Sequence, residues 1–140
     1  MIGTIIAKKK IYAAYEFLNK RDVHSFISAW DDDAIFVFPG TIRASGSVKG
    51  KKAIETWFHN FCSQFPEIHF KVKRICAERL FDMIGTNVLT AIWDIILVNK
   101  DRNTIHNSGV TVITLKRGKV IHAQDYIFNT GKEFNAIWGE

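Results

Sequence analysis

The residue in this chain best placed for acid/base work is Asp125. It lies in the stretch Val120 to Phe128, where Ile121, Ala123, Asp125 and Ile127 fall on one face of a strand, because successive strand side chains point to opposite sides. Three of those four are apolar, so this face is expected to meet the interior with a carboxyl among hydrophobes. Burial disfavours the charged carboxylate and raises its pKa, the direction that suits a general acid or base near neutral pH. A second reading is purely structural, with Asp125 accepting a hydrogen bond from a nearby Trp, Tyr or backbone N–H. Both readings stand at this point.

The same alternation supplies surroundings for it. Asn87, Leu89, Ala91 and Trp93 share a face of one run, and Asn107, Gly109, Thr111 and Ile113 share a face of the next. Asn87, Asn107 and Thr111 then become polar points in an otherwise apolar hollow, the usual make-up of a small-molecule site. Each has the alternative of satisfying a local backbone group. Phe36, Phe38, Trp57, Leu89 and Trp93 would shape the apolar walls, with Asn87 or Asn107 orienting a substrate.

Other chemistries lack their residues. The five histidines show no His-x-His or His-Glu-x-x-His spacing, so no metal ligand set is expected. His69, His106 and His122 fall on the opposite parity from the candidate hollow, while His24 and His59 sit off the apolar helix stripes. There is no glycine-rich phosphate loop and no Ser/His/Asp signature. Cys62 and Cys76 read as small hydrophobes, not as a disulfide framework. No cofactor is expected.

The elements that must position these residues follow from periodicity. Ile11, Ala14/Tyr15 and Leu18 recur at helical spacing. Asp22 is a natural N-cap for a second helix with the stripe Val23, Phe26, Ile27 and Trp30, stopped by Asp31-Asp32-Asp33. Ala34 to Phe38 is a short strand closed by Pro39-Gly40, and the polar stretch Thr41 to Lys49 reads as a flexible flap. A third helix from about Lys51 to Phe65 buries Ile54, Trp57, Phe58, Phe61 and Phe65, and Pro66 ends it. Ile68, Phe70 and Val72 then alternate with polar residues. Leu80 to Val98, Thr104 to Leu115 and Val120 to Phe128 follow as strands, the last two joined by a tight turn at Lys116-Arg117-Gly118-Lys119. Helices first and a long antiparallel meander afterwards give the α+β class, a curved antiparallel sheet with three helices from the N-terminal half on its concave face.

Length and composition set the outer limits. The 140 residues fit one domain over 1–140, and 47% hydrophobic content with 11 Phe and 4 Trp can line a cavity as well as fill a core. No apolar run approaches the roughly 18–20 residues that span a bilayer. Lys8, Lys9 and Lys10 follow the short apolar start instead of preceding it, the wrong order for a secretory signal, so cytoplasm is the expected compartment. The net charge of +5 is spread over short clusters at element ends, which argues against a nucleic-acid surface. Val110, Val112, Tyr126 and Phe128 would leave an apolar patch on the outer sheet face, and a homodimer through that face is expected.

Four stretches resemble the nuclear transport factor 2 and SnoaL-like superfamily in the right order: Phe17-Leu18-Asn19-Lys20-Arg21-Asp22-Val23, Trp30 to Gly40 with its Asp-Asp-Ala and closing proline, Gly50-Lys51-Lys52-Ala53-Ile54, and Gly118-Lys119-Val120-Ile121 followed by Asp125-Tyr126. The resemblance implies a cone-shaped, cystatin-like α+β barrel whose open cavity binds small molecules. It also places an aromatic pocket wall at Trp93 and, through the spacing Gly118-Lys119-Val120 to Asp125 seen in SnoaL-type cyclases, an acid/base aspartate at Asp125. Steroid isomerisation in this superfamily needs a carboxylate base, a tyrosine and a protonated aspartic acid. Those positions fall on Phe38, Ala14 (with Tyr12 and Tyr15 beside it) and Thr111, so that activity is not expected. The superfamily holds enzymes and non-catalytic modules alike, and fold alone does not choose between them. The expectation is a small-molecule-binding protein, either a cofactor-free lyase, isomerase or cyclase acting through Asp125, or a ligand-binding or dimerisation module that does no chemistry.

Overall fold

The computed structural model describes residues 2–79 and 85–140. Helix α1 runs Ile2–Asn19, longer at its N-terminus than the stripe from Ile11 requires, and buries Ile11, Tyr15 and Leu18. It ends on a clamp. The Asn19 side-chain amide donates to the Phe70 carbonyl at 2.9 Å and accepts from the Phe70 N–H at 2.6 Å. Phe70 lies on an edge strand, where backbone groups need such partners.

Arg21 then turns the chain in the left-handed region (φ 62°) and sends its guanidinium to the carbonyls of Phe65 and Cys62, the last turn of α3 (Lys51–Gln64). Asp22 caps α2 (Val23–Ile27) as expected, accepting from the Ser25 N–H at 3.0 Å and the Ser25 hydroxyl at 2.6 Å.

Trp30 is not part of that helix. It opens strand β1 (Trp30–Phe38), and Asp31, Asp32 and Asp33 lie within the strand instead of stopping a helix. The pairing of β1 is irregular between Trp30 and Ile35, and Asp31 accepts from the Asp33 N–H at 3.0 Å. Aspartates tolerate this local break because their side chains substitute for ladder hydrogen bonds.

The expected flap is also more ordered than its composition suggests. Gly46–Lys49 forms β2, antiparallel to β1, and the Ser45 hydroxyl fixes the loop before it by donating to Pro39 O at 2.7 Å and accepting from the Ile42 N–H at 3.1 Å.

Strands β3 (Glu67–Ala77), β4 (Thr86–Val98), β5 (Thr104–Lys116) and β6 (Lys119–Ile127) complete an open, curved six-stranded sheet in the order β2-β1-β6-β5-β4-β3. The strand expected from Leu80 is described from Thr86; residues 80–84 lie outside the described residues. The meander is antiparallel, but β1 meets β6 in parallel, a pair that the expected wholly antiparallel sheet lacks.

Helix α1 packs on β3 and α3 on β1, with Phe65, Ile54, Ile68 and Leu89 wholly buried between the layers. A fourth helix, α4 (Lys132–Ile137), which the sequence reading leaves unassigned, buries Phe134 and Ile137 and brings Trp138 against Phe38, Phe61 and Phe65. Its signal is short, two buried positions in a helix of 6 residues, too few for periodicity to register.

Candidate functional site

Asp125 on β6 stands directly across from Thr111 on β5, and both side chains face the helices. The Thr111 hydroxyl sits at the centre of three groups. It accepts from the Tyr15 hydroxyl at 2.8 Å and from Trp93 Nε1 at 2.9 Å, and it donates to Asp125 Oδ1 at 2.6 Å. A hydroxyl has two lone pairs and one hydrogen, so its capacity is full. The indole N–H can only donate and an ionised carboxylate can only accept, which fixes the direction of these bonds. Oδ1 is therefore committed to Thr111, and a proton taken up by Asp125 belongs on Oδ2.

Gly109 makes the arrangement possible. Trp93 on β4 is in register with Gly109 on β5, and a Cβ there would stand 2.7 Å from the Trp93 ring and overlap the Tyr126 carbonyl oxygen. With no side chain in the way, the indole lies over β5 and reaches the hydroxyl two residues on.

The electrostatics follow from enclosure. By surface area Asp125 is only half-buried, because its carboxyl fronts a hollow, yet protein surrounds it. Burial pushes its pKa up to about 7, against the Thr111 hydrogen bond, which pulls it down. Burial first, and the Asp125 charge second, raise the Tyr15 phenol above its ordinary value, so Tyr15 stays a neutral donor.

Two hollows meet at Asp125. The main cavity, about 90 Å³, lies between α1, α2 and the sheet, and its walls include Ile11, Leu18, Phe26, Phe36, Ile113 and Ala123. At roughly 10–15 Å³ per water on this measure, that is room for several waters or a small apolar guest. A smaller hollow of about 40 Å³ lies on the other side of the carboxyl, walled by Phe38, Trp57, Trp93, Phe134 and Trp138.

The residues picked out from sequence thus divide. Phe36 and Thr111 share the main cavity with Asp125, while Phe38, Trp57, Trp93 and Asn107 border the smaller hollow. Asn107 also ties down the chain after β6, donating to Asn129 O at 2.8 Å and accepting from the Asn129 N–H at 3.3 Å. Asn87 is not at the carboxyl: its amide bridges the Arg79 backbone, accepting from N–H at 3.1 Å and donating to C=O at 3.0 Å. Leu89 is packed in the core.

Alternation also misplaces one residue of the Asp125 face. Thr114 pairs with His122 but Leu115 with Val120, so Ile121 is the extra residue of a bulge, and Val120, not Ile121, lines the cavity. Among the residues that sequence reasoning left out, Tyr15 matters most. Its place in the stripe with Ile11 and Leu18 marked it as inward, but nothing in the sequence showed its hydroxyl meeting Thr111. Among the described residues no group of three His, Cys, Asp or Glu side chains converges on a metal position, and no helix is long and apolar enough to cross a membrane.

The SnoaL-like domain family matches the chain over residues 11–123. No curated protein matches it. Among solved structures, a protein from a soil-derived mobile gene cassette is 17% identical, with a TM-score of 0.78 over 94% of this chain and 95% of that one. TerC, co-crystallized with polyporic acid, is 17% identical, with a TM-score of 0.68 over 96% and 98%. A protein of ketosteroid isomerase-like fold from Catenulispora acidiphila, in complex with trimethylamine, is 14% identical, with a TM-score of 0.69 over 84% and 83%. Solved chains of matching structure number 407, so the fold by itself selects no reaction.

Proposed function

From the premise that this chain belongs to the SnoaL-like domain family, we propose that it binds a small apolar organic molecule in the main cavity and acts on it with Asp125 as general base and acid, in a cofactor-free lyase, isomerase or cyclase reaction. One observation carries the reading: a carboxyl raised to about 7, with one oxygen held by Thr111 and the other fronting an apolar cavity. A base near the working pH both accepts and returns a proton efficiently. Oδ2 takes a proton from carbon next to a carbonyl, exchanges it with water in the cavity, and returns a proton to the rearranged product. That two neighbours of the fold are in complex with small organic molecules supports the choice of ligand class.

The test uses a panel of apolar ketones and keto-esters in D₂O, with deuterium uptake at the acidic C–H read by NMR. The expected result is uptake with the wild type and none with Asp125→Asn, although Asp125→Asn still binds the active compounds. Equal uptake by both proteins would remove Asp125 from the mechanism. Binding without uptake by either protein would favour the other reading, a ligand-binding module in which Thr111 and Asp125 serve only to hold the sheet and α1 together.

We also infer a homodimer through the outer sheet face. Tyr126 and Phe128, 48% and 70% exposed, support it, since apolar groups this open commonly mark an interface.

A further inference from the structure

The main cavity has a mouth, and its chemistry differs from that of the walls. Lys10 of α1 and Gly118 of the β5–β6 turn border the cavity, and both are exposed. A side-chain carbon on Gly118 would stand 3.7 Å from Lys10 Nζ, so the ammonium lies beside the turn at the edge of the cavity. Asp125 lies seven positions beyond Gly118, along β6, and Tyr15 five positions beyond Lys10 along α1. The cation and the carboxyl therefore occupy opposite ends of the apolar slot.

Outside the mouth lies a wider groove of about 180 Å³ that shares Lys10, Leu115 and Gly118 with the cavity and adds Arg117. Among the described residues no carboxylate lines this groove, and none lies within ion-pairing distance of Lys10 or Arg117. Two cations thus face a groove that continues an apolar slot.

We propose that the ligand is an amphiphilic organic anion, its apolar body in the main cavity and its anionic group outside on Lys10 and Arg117. The inference rests on reading the main cavity as the ligand site. The reverse orientation would bring an anion against Asp125 in a low-dielectric interior, where like charges repel most. The lining supplies no other cation to offset that repulsion. A net charge of +5 favours encounter with anions in general, and the two cations at the mouth select the orientation.

Octanoate and 1-octanol, which share a chain and differ in the charged end, separate the possibilities by isothermal titration calorimetry at pH 8. The expected result is that octanoate binds roughly three- to tenfold tighter than octanol, the scale of two partly exposed ion pairs. The doubly neutral variant Lys10→Gln/Arg117→Gln should lower octanoate to the octanol level and leave octanol unchanged. Ala123→Leu, which fills the slot, should weaken both. Octanol bound as tightly as octanoate, or a preference that survives the double variant, overturns the anion and leaves the cavity reading intact. No binding of either, or binding indifferent to Ala123→Leu, overturns the cavity reading itself and the anion with it.

Discussion

Thr111 donates its one hydroxyl hydrogen to Asp125 Oδ1 across 2.6 Å, while Tyr15 and Trp93 fill both of its lone pairs. A helix and three strands are thus tied to one oxygen atom, and the carboxyl they hold is left with a single free oxygen toward the cavity.

The raised pKa of Asp125 makes stability depend on pH. In the unfolded chain the group ionises near 3.8, in the folded protein at about 7, so between these values the native state holds the extra proton. Stability contributed by this group is fully present below the lower value and is lost as pH rises through about 7. At about 1.4 kcal/mol per unit the loss is up to roughly 4 kcal/mol. Asp125→Asn should therefore melt in urea at nearly the same concentration as wild type at pH 4 and at a higher one at pH 8. A variant less stable than wild type at pH 8 would show that the carboxylate is not held at a cost.

For the same reason, proton abstraction should follow the ionised fraction of Asp125. The rate of deuterium uptake is expected to rise with pH and level off above about 7, with the inflection matching the carboxyl titration read by carbon-13 NMR. An inflection near 4 would mean that the group is not buried during the reaction.

Thr111→Val keeps the shape but removes the hydroxyl. The Tyr15 hydroxyl and Trp93 N–H then lose their acceptor, at about 1–3 kcal/mol for each buried group left unpaired. Because the lost bond was lowering the Asp125 pKa, that value should move further up. Thermal melts and the same carbon-13 titration check both effects, and a titration unmoved or moved downward would contradict the geometry.

Gly109→Ala puts a methyl group 2.7 Å from the Trp93 ring and into the Tyr126 carbonyl. Overpacking of this kind costs about 1–3 kcal/mol or more. The indole should be displaced from Thr111, seen as a shift of the Trp93 N–H resonance together with a lower melting temperature. A resonance left in place would mean that the sheet yields instead.

Phe128→Lys places a charge on the exposed patch at the end of β6 and should yield a monomer by light scattering where the wild type is a dimer. A wild type that is monomeric at micromolar concentration ends the dimer inference.

Much of this architecture was legible because it depends on local periodicity. The stripe Ile54, Phe58, Phe61 of α3, the cap at Asp22 and the tight turn of the last hairpin, with Gly118 at positive φ, each follow from a few neighbouring residues. Pairing with distant strands overrides local periodicity at two points. Trp30 fits the α2 stripe by spacing, but its pairing with Val120, some 90 residues away, draws it into β1. Ile121 fits a strict alternation that a bulge set by the partner strand interrupts.

An inward carboxyl at Asp125 among apolar residues, with a meander behind it, was legible in the letters because side chains alternate along any regular stretch of strand. Tertiary structure decided what that carboxyl meets. The Tyr15 hydroxyl, 96 residues from Thr111, and the separation of Asn87 from the cavity depend on how α1 lies across the curved sheet. Hydrogen bonds and hollows between distant elements are set by packing in three dimensions, and no spacing within one element encodes them.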